Sequence, residues 1–548
     1  MMAVEQAQQM HGQTAPAGAR GDTRACAGVR TFTLRTYAVL GALVCGLSAC
    51  SGGGDDSPTP SSSPTPEPTP EPTPTAIPTP FDPDWVAHTE GLMSFWEGAN
   101  RDTSNGGYFT YVSRTGQISS NRDKWTRTVS REVYGFTRAF QLTGETRWLE
   151  HARLGVDWLL GMAHDPVHGG FYQLLSTTGE VKQDGRSLFD LAYALNGLAA
   201  YFEVTHDPEV GALLDEEYAR IDGLAWDSLQ GGYYNALNVE MTQVSDRNKS
   251  FNAQVDMMSA WMFTWYAATG KTAVRERLET LGLNVVSHVI DPDGRGWIGE
   301  LFDEDWNYLP EQVPYGSDRT ICGHNFKTVW VLGRLYALGG SSLFLSNAEE
   351  LLDKTLSTCR DVGTEGIFDQ VDRKTSTVVG YDGNPANADQ KPWWQQEQAL
   401  FALRYMNLFT GKSYYDKVHD ATLDFYLRHF PDPEYGEVFA TVYGDGSPKD
   451  MTKGNDTKSA YHSTETAYFS LLYDQLLRKG GSITLYYAFD AHTEDRTVRL
   501  VPLEAPYETF EVKSAALSGT SLSLSTPSTV KISAGTTGIM AVTYGQVD

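Results

Sequence analysis

One short segment recurs six times along this chain and limits what it can fold into. It reads Gly106-Gly107-Tyr108-Phe109, Gly169-Gly170-Phe171-Tyr172, Gly231-Gly232-Tyr233-Tyr234, Gly296-Trp297, Gly366-Ile367-Phe368 and Gly436-Glu437-Val438-Phe439. Aligned on the last Gly of each, the copies sit at 107, 170, 232, 296, 366 and 436, at steps of 63, 62, 64, 70 and 70 residues. Self-similarity at a fixed period marks a set of stacked supersecondary units. Most copies are followed by a turn and a second short stretch, as in Thr178-Gly179-Glu180-Val181. Each therefore reads as a small hairpin whose Gly permits tight backbone geometry.

Between the hairpins lie pairs of amphipathic stretches with apolar residues three and four apart, the helical period. The pairs are 127–142 with 147–162, 187–204 with 208–224, 252–269 with 273–290, 320–338 with 347–360, and 393–410 with 414–430. Residues 84–97 supply a first helix and 458–477 a last, which makes twelve. Six two-helix units bury their faces best by closing into a ring with inner and outer layers, the (α/α)6 toroid, or barrel. An open solenoid, which needs capping repeats, is the alternative. The chemically loaded motifs fall on the even-numbered helices, mostly in their N-terminal halves. Those helices are the expected inner layer, with their N-termini converging on one cleft. After Gly481 the pattern alternates apolar and polar, as in Ile483-Thr484-Leu485-Tyr486 and Met540-Ala541-Val542-Thr543. Residues 481–548 thus read as a small all-β, sandwich-like module, a structural cap or, as the sharper reading, a sugar-binding unit. The catalytic barrel is expected over 81–480.

The N-terminal 50 residues read as a targeting segment. Arg30 and Arg35 precede an apolar run, 37–47, too short to span a bilayer as a helix. It ends in Leu47-Ser48-Ala49-Cys50, which resembles the lipobox of bacterial lipoproteins and implies acylation of Cys50. Ser51 after it favours the outer membrane, by resemblance to the Gram-negative sorting rule. The residues before Val29 are unlike a signal n-region, so the functional start is expected downstream. Residues 51–80 are a Pro/Thr/Ser-rich extended tether. The chain is thus expected to be exported and lipid-anchored, meeting the membrane only through that anchor. Of the cysteines beyond Cys50, Cys322 and Cys359 would form either a disulfide or two core thiols. A net charge of −26 argues against a nucleic-acid partner. No metal-ligand spacing or phosphate-binding Gly loop points to a cofactor.

Six stations carry chemistry: Ser130-Arg131-Glu132 on the second helix, Phe189-Asp190-Leu191 on the fourth, and Asn252-Ala253-Gln254-Val255-Asp256 on the sixth. Gly323-His324-Asn325-Phe326-Lys327 stands on the eighth, Trp393-Trp394-Gln395-Gln396-Glu397-Gln398 on the tenth, and Tyr461-His462-Ser463-Thr464-Glu465 on the twelfth. Together, in this order, they resemble the N-acylglucosamine 2-epimerase family, which includes cellobiose 2-epimerases and mannose isomerases, over roughly residues 84–478.

Chemistry at C2 of an aldose requires removing a weakly acidic proton beside a carbonyl and returning one. Two imidazoles facing each other across a sugar can do both. The resemblance places this pair at His324 and His462, and implies that Arg131 polarises the carbonyl oxygen. Asn252 is expected to bond sugar hydroxyls and Trp393 and Trp394 to stack on the sugar, with Asp190, Asp256, Lys327, Glu397, Gln398, Tyr461 and Glu465 as further substrate-binding positions. The chain departs from the family's pattern in several places. Lys327 stands where the family has Glu and Glu465 where it commonly has Arg. Asp256 and Ser259 replace a His and a Glu, and the Glu after the double Trp falls on Gln398. The opposite signs of Lys327 and Glu465 suggest a swapped charge pair.

The implied activity is a sugar 2-epimerase or aldose–ketose isomerase acting on a mono- or disaccharide. Two other readings compete. A polysaccharide lyase would use His324, His462 and Tyr461, and a glycoside hydrolase would need facing carboxylates from Asp256, Glu397 and Glu465. A non-catalytic glycan-binding lipoprotein is the third.

Overall fold

Helix α2 (Thr126–Thr143) packs on α3 (Thr146–Trp158), α4 (Leu188–Thr205) on α5 (Pro208–Ala225), and α6 (Phe263–Thr269) on α7 (Thr272–Asn284). In the same way α8 (Cys322–Ala337) packs on α9 (Ser342–Cys359), α10 (Trp393–Thr410) on α11 (Ser413–His429), and α12 (Tyr461–Leu472) on α1 (Trp85–Ala99). This computed structural model describes residues 83–312, 318–503 and 509–547. The expected leader, Cys50 and the tether lie outside the described residues.

Sequence patterning sorts the helices into two kinds. In α4 every residue except Phe189 and Phe202 is buried, whereas α7 buries only Val274, Leu278, Leu281 and Gly282, a single stripe. A helix apolar all round must have neighbours on every side, and a striped one lies at the surface. Accordingly α2 touches α4, α4 touches α6, α8 touches α10, α10 touches α12, and α12 touches α2. Two π-turns, Asn252–Asp256 and Met258–Met262, precede α6, and the first of them packs against α8.

The six recurring segments form the expected hairpins. Bridges from Arg101 to Tyr108, His164 to Phe171, Trp226 to Tyr233, Ile290 to Ile298, Arg360 to Ile367 and Pro431 to Val438 close their turns. At Gly107 φ is +65°, and a Cβ there would lie 2.8 Å from the Trp158 ring. Each of the last five hairpins also reaches back to the start of the preceding even-numbered helical stretch. The amides of Thr126, Leu188, Phe251, Cys322 and Trp393 donate to the carbonyls of Gln173, Asn235, Glu300, Asp369 and Ala440 at 2.8–3.1 Å. These bonds satisfy amides that a helix start leaves without partners. An ion pair with a buried cation anchors each of five turns: Lys124–Asp102, Arg186–Asp165, Lys249–Asp227, Lys391–Asp361 and Lys453–Asp432.

Beyond Ser482 the chain forms two antiparallel sheets. In one, Ser482–Phe489 pairs with Gly538–Gln546, which pairs with Phe510–Leu517 and it in turn with Thr520–Ser521. In the other, Arg496–Arg499, Thr529–Ile532 and Leu524–Thr526 lie side by side. The sheets cover the C-terminal ends of even-numbered helices. Tyr486 lies over Gly144, the left-handed cap of α2, where a Cβ would come within 2.8 Å of the ring. Arg499 donates to the carbonyls of Tyr266 and Ala267 at the end of α6. The sheets therefore lie at the end opposite the N-terminal halves that carry the six stations. Cys322 and Cys359, whose state the sequence left open, are bonded to each other and tie the start of α8 to the end of α9.

Candidate active site

Trp394 is the centre of the site. Its indole lies 5.6 Å from the His324 ring and 5.9 Å from the His462 ring, centroid to centroid. Two imidazoles from α8 and α12 thus meet one side chain from α10. His324 stacks on Phe251 at 3.9 Å with an interplanar angle of 14°. Its Nδ1 lies 2.9 Å from Glu300 Oε2. A carboxylate only accepts, so Nδ1 carries the hydrogen and Nε2 is left for proton exchange. Glu300 is itself fixed, because its second oxygen accepts from the Ile321 amide at 3.2 Å.

His462 is held differently. Its Nδ1 stands 3.4 Å from Glu465 Oε2, one turn along α12, a charge contact rather than an aligned hydrogen bond. Burial pushes its pKa down to about 4; Glu465 pulls it back, and the charges of Lys327 and Arg131 push it lower. The imidazole is therefore neutral at pH 7. Glu465 also accepts from the Tyr461 hydroxyl at 2.7 Å.

A cationic network lies beside the pair. Arg131 of α2 donates to the Thr457 carbonyl at 2.8 Å, and its Cζ lies 3.9 Å from the centre of the Tyr193 ring. It is 4% exposed, and its buried Nε has no partner. The ion pair with a carboxylate that would have given it a purely structural role is not present among the described residues. Lys327 Nζ donates to Asp256 Oδ1 at 2.5 Å and to the Tyr193 hydroxyl at 2.9 Å. Asn252 Nδ2 donates to Asp256 Oδ2 at 2.8 Å within the π-turn. Burial disfavours both charges of the pair, yet Asp256 holds the Lys327 ammonium above the usual lysine range and Lys327 holds Asp256 below the usual carboxylate range. The expected Lys327–Glu465 exchange does not form: Lys327 pairs with Asp256, and Glu465 with Tyr461 and His462.

Trp393, 7% exposed, packs on Phe425, Phe430 and Phe439 and also meets the His462 ring edge-on at 6.3 Å, whereas Glu397, Gln398 and Asp190 lie outside this cluster. Glu397 is fully enclosed, accepts from the Tyr426 hydroxyl of α11 at 2.9 Å, and is held by burial well above the usual carboxylate range. Gln398 accepts from the Trp330 indole at 2.7 Å. Asp190 binds Arg127 at 2.6 Å, Gln173 at 2.6 Å and Ser187 at the start of α4.

Two acidic groups beside His324 escaped the sequence reading. Glu300 and Asp369 occupy the same place in successive hairpins, since their carbonyls receive the amides of Phe251 and Cys322. Asp369 accepts from Gln395 Nε2 at 2.7 Å, and burial raises it to about 6. Reading each repeat one step past its aromatic pair finds both, once the extra Gly299 in the fourth copy is allowed for. A neutral imidazole, a second imidazole on a carboxylate, and a buried guanidinium are groups that can together move a proton on a carbon beside a carbonyl.

Comparison with known proteins identifies the lineage. The profile of the N-acylglucosamine 2-epimerase (GlcNAc 2-epimerase) family matches residues 107–466, and the chain belongs to that family. It is similar to a cellobiose 2-epimerase of Bacteroides fragilis, 22% identical over 389 residues, 68% of this chain and 94% of that one. The N-acylglucosamine 2-epimerase of Mus musculus is 24% identical over 385 residues, covering 68% and 86%. Among solved structures, a D-mannose isomerase aligns with a TM-score of 0.64 at 18% identity, over 71% of this chain and 97% of the other.

Proposed function

We propose that this carbohydrate epimerase/isomerase acts by proton removal and return at C2 of a mono- or disaccharide, with His324 and His462 as the exchanging groups. The observation that carries this reading is the pair of imidazoles flanking Trp394 beside a guanidinium that has no carboxylate partner among the described residues. In the open-chain sugar, neutral His462 takes the C2 proton while the electron pair moves into the C1 carbonyl, giving an enediolate. Arg131 stabilises the oxygen that gains charge. His324, entering as the imidazolium with Glu300 on its Nδ1, delivers its Nε2 proton to the opposite face of C2 and is left neutral, giving the epimer; delivery to C1 gives the ketose. Trp394 supplies the flat apolar surface on which the sugar rests.

The relatives' names, a cellobiose and an N-acylglucosamine 2-epimerase and a mannose isomerase, support a neutral mono- or disaccharide as substrate. Burial of Arg131, Lys327, Asp256 and His462 favours a small sugar over a polymer. Paired-carboxylate hydrolysis has less support, because Asp256 is bound to Lys327 and Glu397 is sealed against Tyr426. The helix neighbours are read as a closed (α/α)6 toroid, supported by the contact of α12 with α2. The chain is further read as exported and held by a lipid on Cys50, on the bacterial outer membrane. A cystine is at home in such an oxidising compartment.

The test is incubation of residues 81–548 with mannose, glucose, N-acetylmannosamine, cellobiose and mannobiose in heavy water, following the C2 hydrogen by NMR. Loss of that signal with a new epimer or ketose is expected, falling by about 10²–10⁴-fold in His324→Ala and in His462→Ala. Exchange that survives both substitutions would sink the assignment.

A further inference from the structure

Resting on the proton-transfer reading above, we infer that Lys327 contacts the substrate as a second electrophile, donating to the enediolate oxygen alongside Arg131, with Tyr193 holding the two cations apart. Lys327 stands three residues after His324 on α8, so both side chains leave the same face of the helix. Its ammonium carries three hydrogens. Asp256 Oδ1 takes one at 2.5 Å and the Tyr193 hydroxyl takes one at 2.9 Å, which leaves the third for a ligand. Tyr193 passes its own hydrogen to Asp256 at 3.2 Å. The face of that same ring carries the Arg131 guanidinium at 3.9 Å. One tyrosine therefore separates two buried cations, one on its π-face and one on its hydroxyl.

Charge bookkeeping points the same way. Arg131 and Lys327 are positive and Asp256 is negative, so the group carries one net positive charge. An enediolate brings one negative charge. A buried Lys–Asp pair gains little over apolar side chains of the same size, so stability alone does not explain it. Fixed donors beside a developing oxyanion do explain it. Asn252 completes the frame by holding the second oxygen of Asp256, so the carboxylate keeps its first oxygen on Lys327.

The experiment compares wild type with Lys327→Met/Asp256→Leu, which removes both charges and leaves neither partner unpaired. Turnover is read on the panel sugar that wild type converts best. Binding is read by calorimetry for mannose and for D-arabinonohydroxamic acid, whose hydroxamate mimics the 1,2-enediolate of a hexose. Lys327→Gln/Asp256→Asn is the second variant, keeping hydrogen bonds and folding while removing charge. The expected result is a kcat loss of about 100-fold with KM within about threefold. Hydroxamate affinity should fall at least about tenfold while that for mannose holds, as for an interaction made only in the transition state. Wild-type kcat and hydroxamate affinity in either folded variant would overturn the role of Lys327 alone. Absence of C2–hydrogen exchange in the wild type would overturn the proton-transfer reading, and this inference with it.

Discussion

His324 and His462 flank one indole but sit in unlike surroundings. His324 is gripped from a neighbouring hairpin: Glu300 binds its Nδ1 at 2.9 Å and Phe251 stacks on its face. Among the described residues His462 has no carboxylate partner from another element, only the indoles of Trp393 and Trp394. Its carboxylate neighbour, Glu465, lies on its own helix at 3.4 Å, and burial rather than hydrogen bonding sets its protonation. Even the helix starts differ, since the first residue of α8, Cys322, is bonded to Cys359. A two-base reaction gains from this asymmetry. One base must be neutral and ready to accept, and the other must be oriented and able to hand a proton on.

The strongest break in that comparison is Glu300→Gln. Losing a charge-assisted hydrogen bond of about 1.5–3 kcal/mol should lower kcat by about 10–100-fold, with little change in KM, in steady-state assays of C2 exchange. An equal loss in Glu465→Gln would show that the two carboxylates do the same job. The cystine tests the same contrast through stability rather than turnover. Cys322→Ala/Cys359→Ala should cost about 2–4 kcal/mol in denaturant unfolding, with the His324 side loosening first in hydrogen exchange. Uniform loosening around both imidazoles would remove this part of the contrast. The smallest effect concerns pH. With His462 at about 4 in the folded protein, the acidic limb of kcat/KM should lie near pH 4 rather than 6.5. Glu465→Gln should move that limb lower still, since its charge raises His462. Between pH 6.5 and 4 the unfolded chain binds the proton that folded His462 refuses. Its contribution to stability is therefore complete above pH 6.5 and lost as pH falls toward 4. Urea midpoints measured against pH in wild type and His462→Gln would read this directly.

Much of the helical body was legible because a repeat writes the same pattern six times. The glycine–aromatic segments gave the hairpins, and the periodic apolar positions between them gave the helices to within a few residues. His324, His462, Arg131 and Trp394 were recognisable from their motifs, and the structure brings them together. Glu397 was not separable from its neighbours, because adjacent residues on a helix point about 100° apart and only packing decides which faces inward. The partner of Lys327 was misjudged for a related reason. Opposite charges in two motifs suggest a pair, but side chains meet by position in space, and Asp256 is what α8 faces.

The sequence by itself determined the helices of the described residues, which of them would lie inside, and the change to strands after Gly481. These follow from periodicity and local backbone preference, which depend on near neighbours along the chain. The tertiary structure alone decided that Glu300 grips His324, that Cys322 and Cys359 are bonded, that Arg131 has no carboxylate partner among the described residues, and that Lys327 and Asp256 share Tyr193. Each of these joins segments distant in sequence. Interactions of that kind exist only where folding has fixed distances and removed water, and no local pattern encodes either.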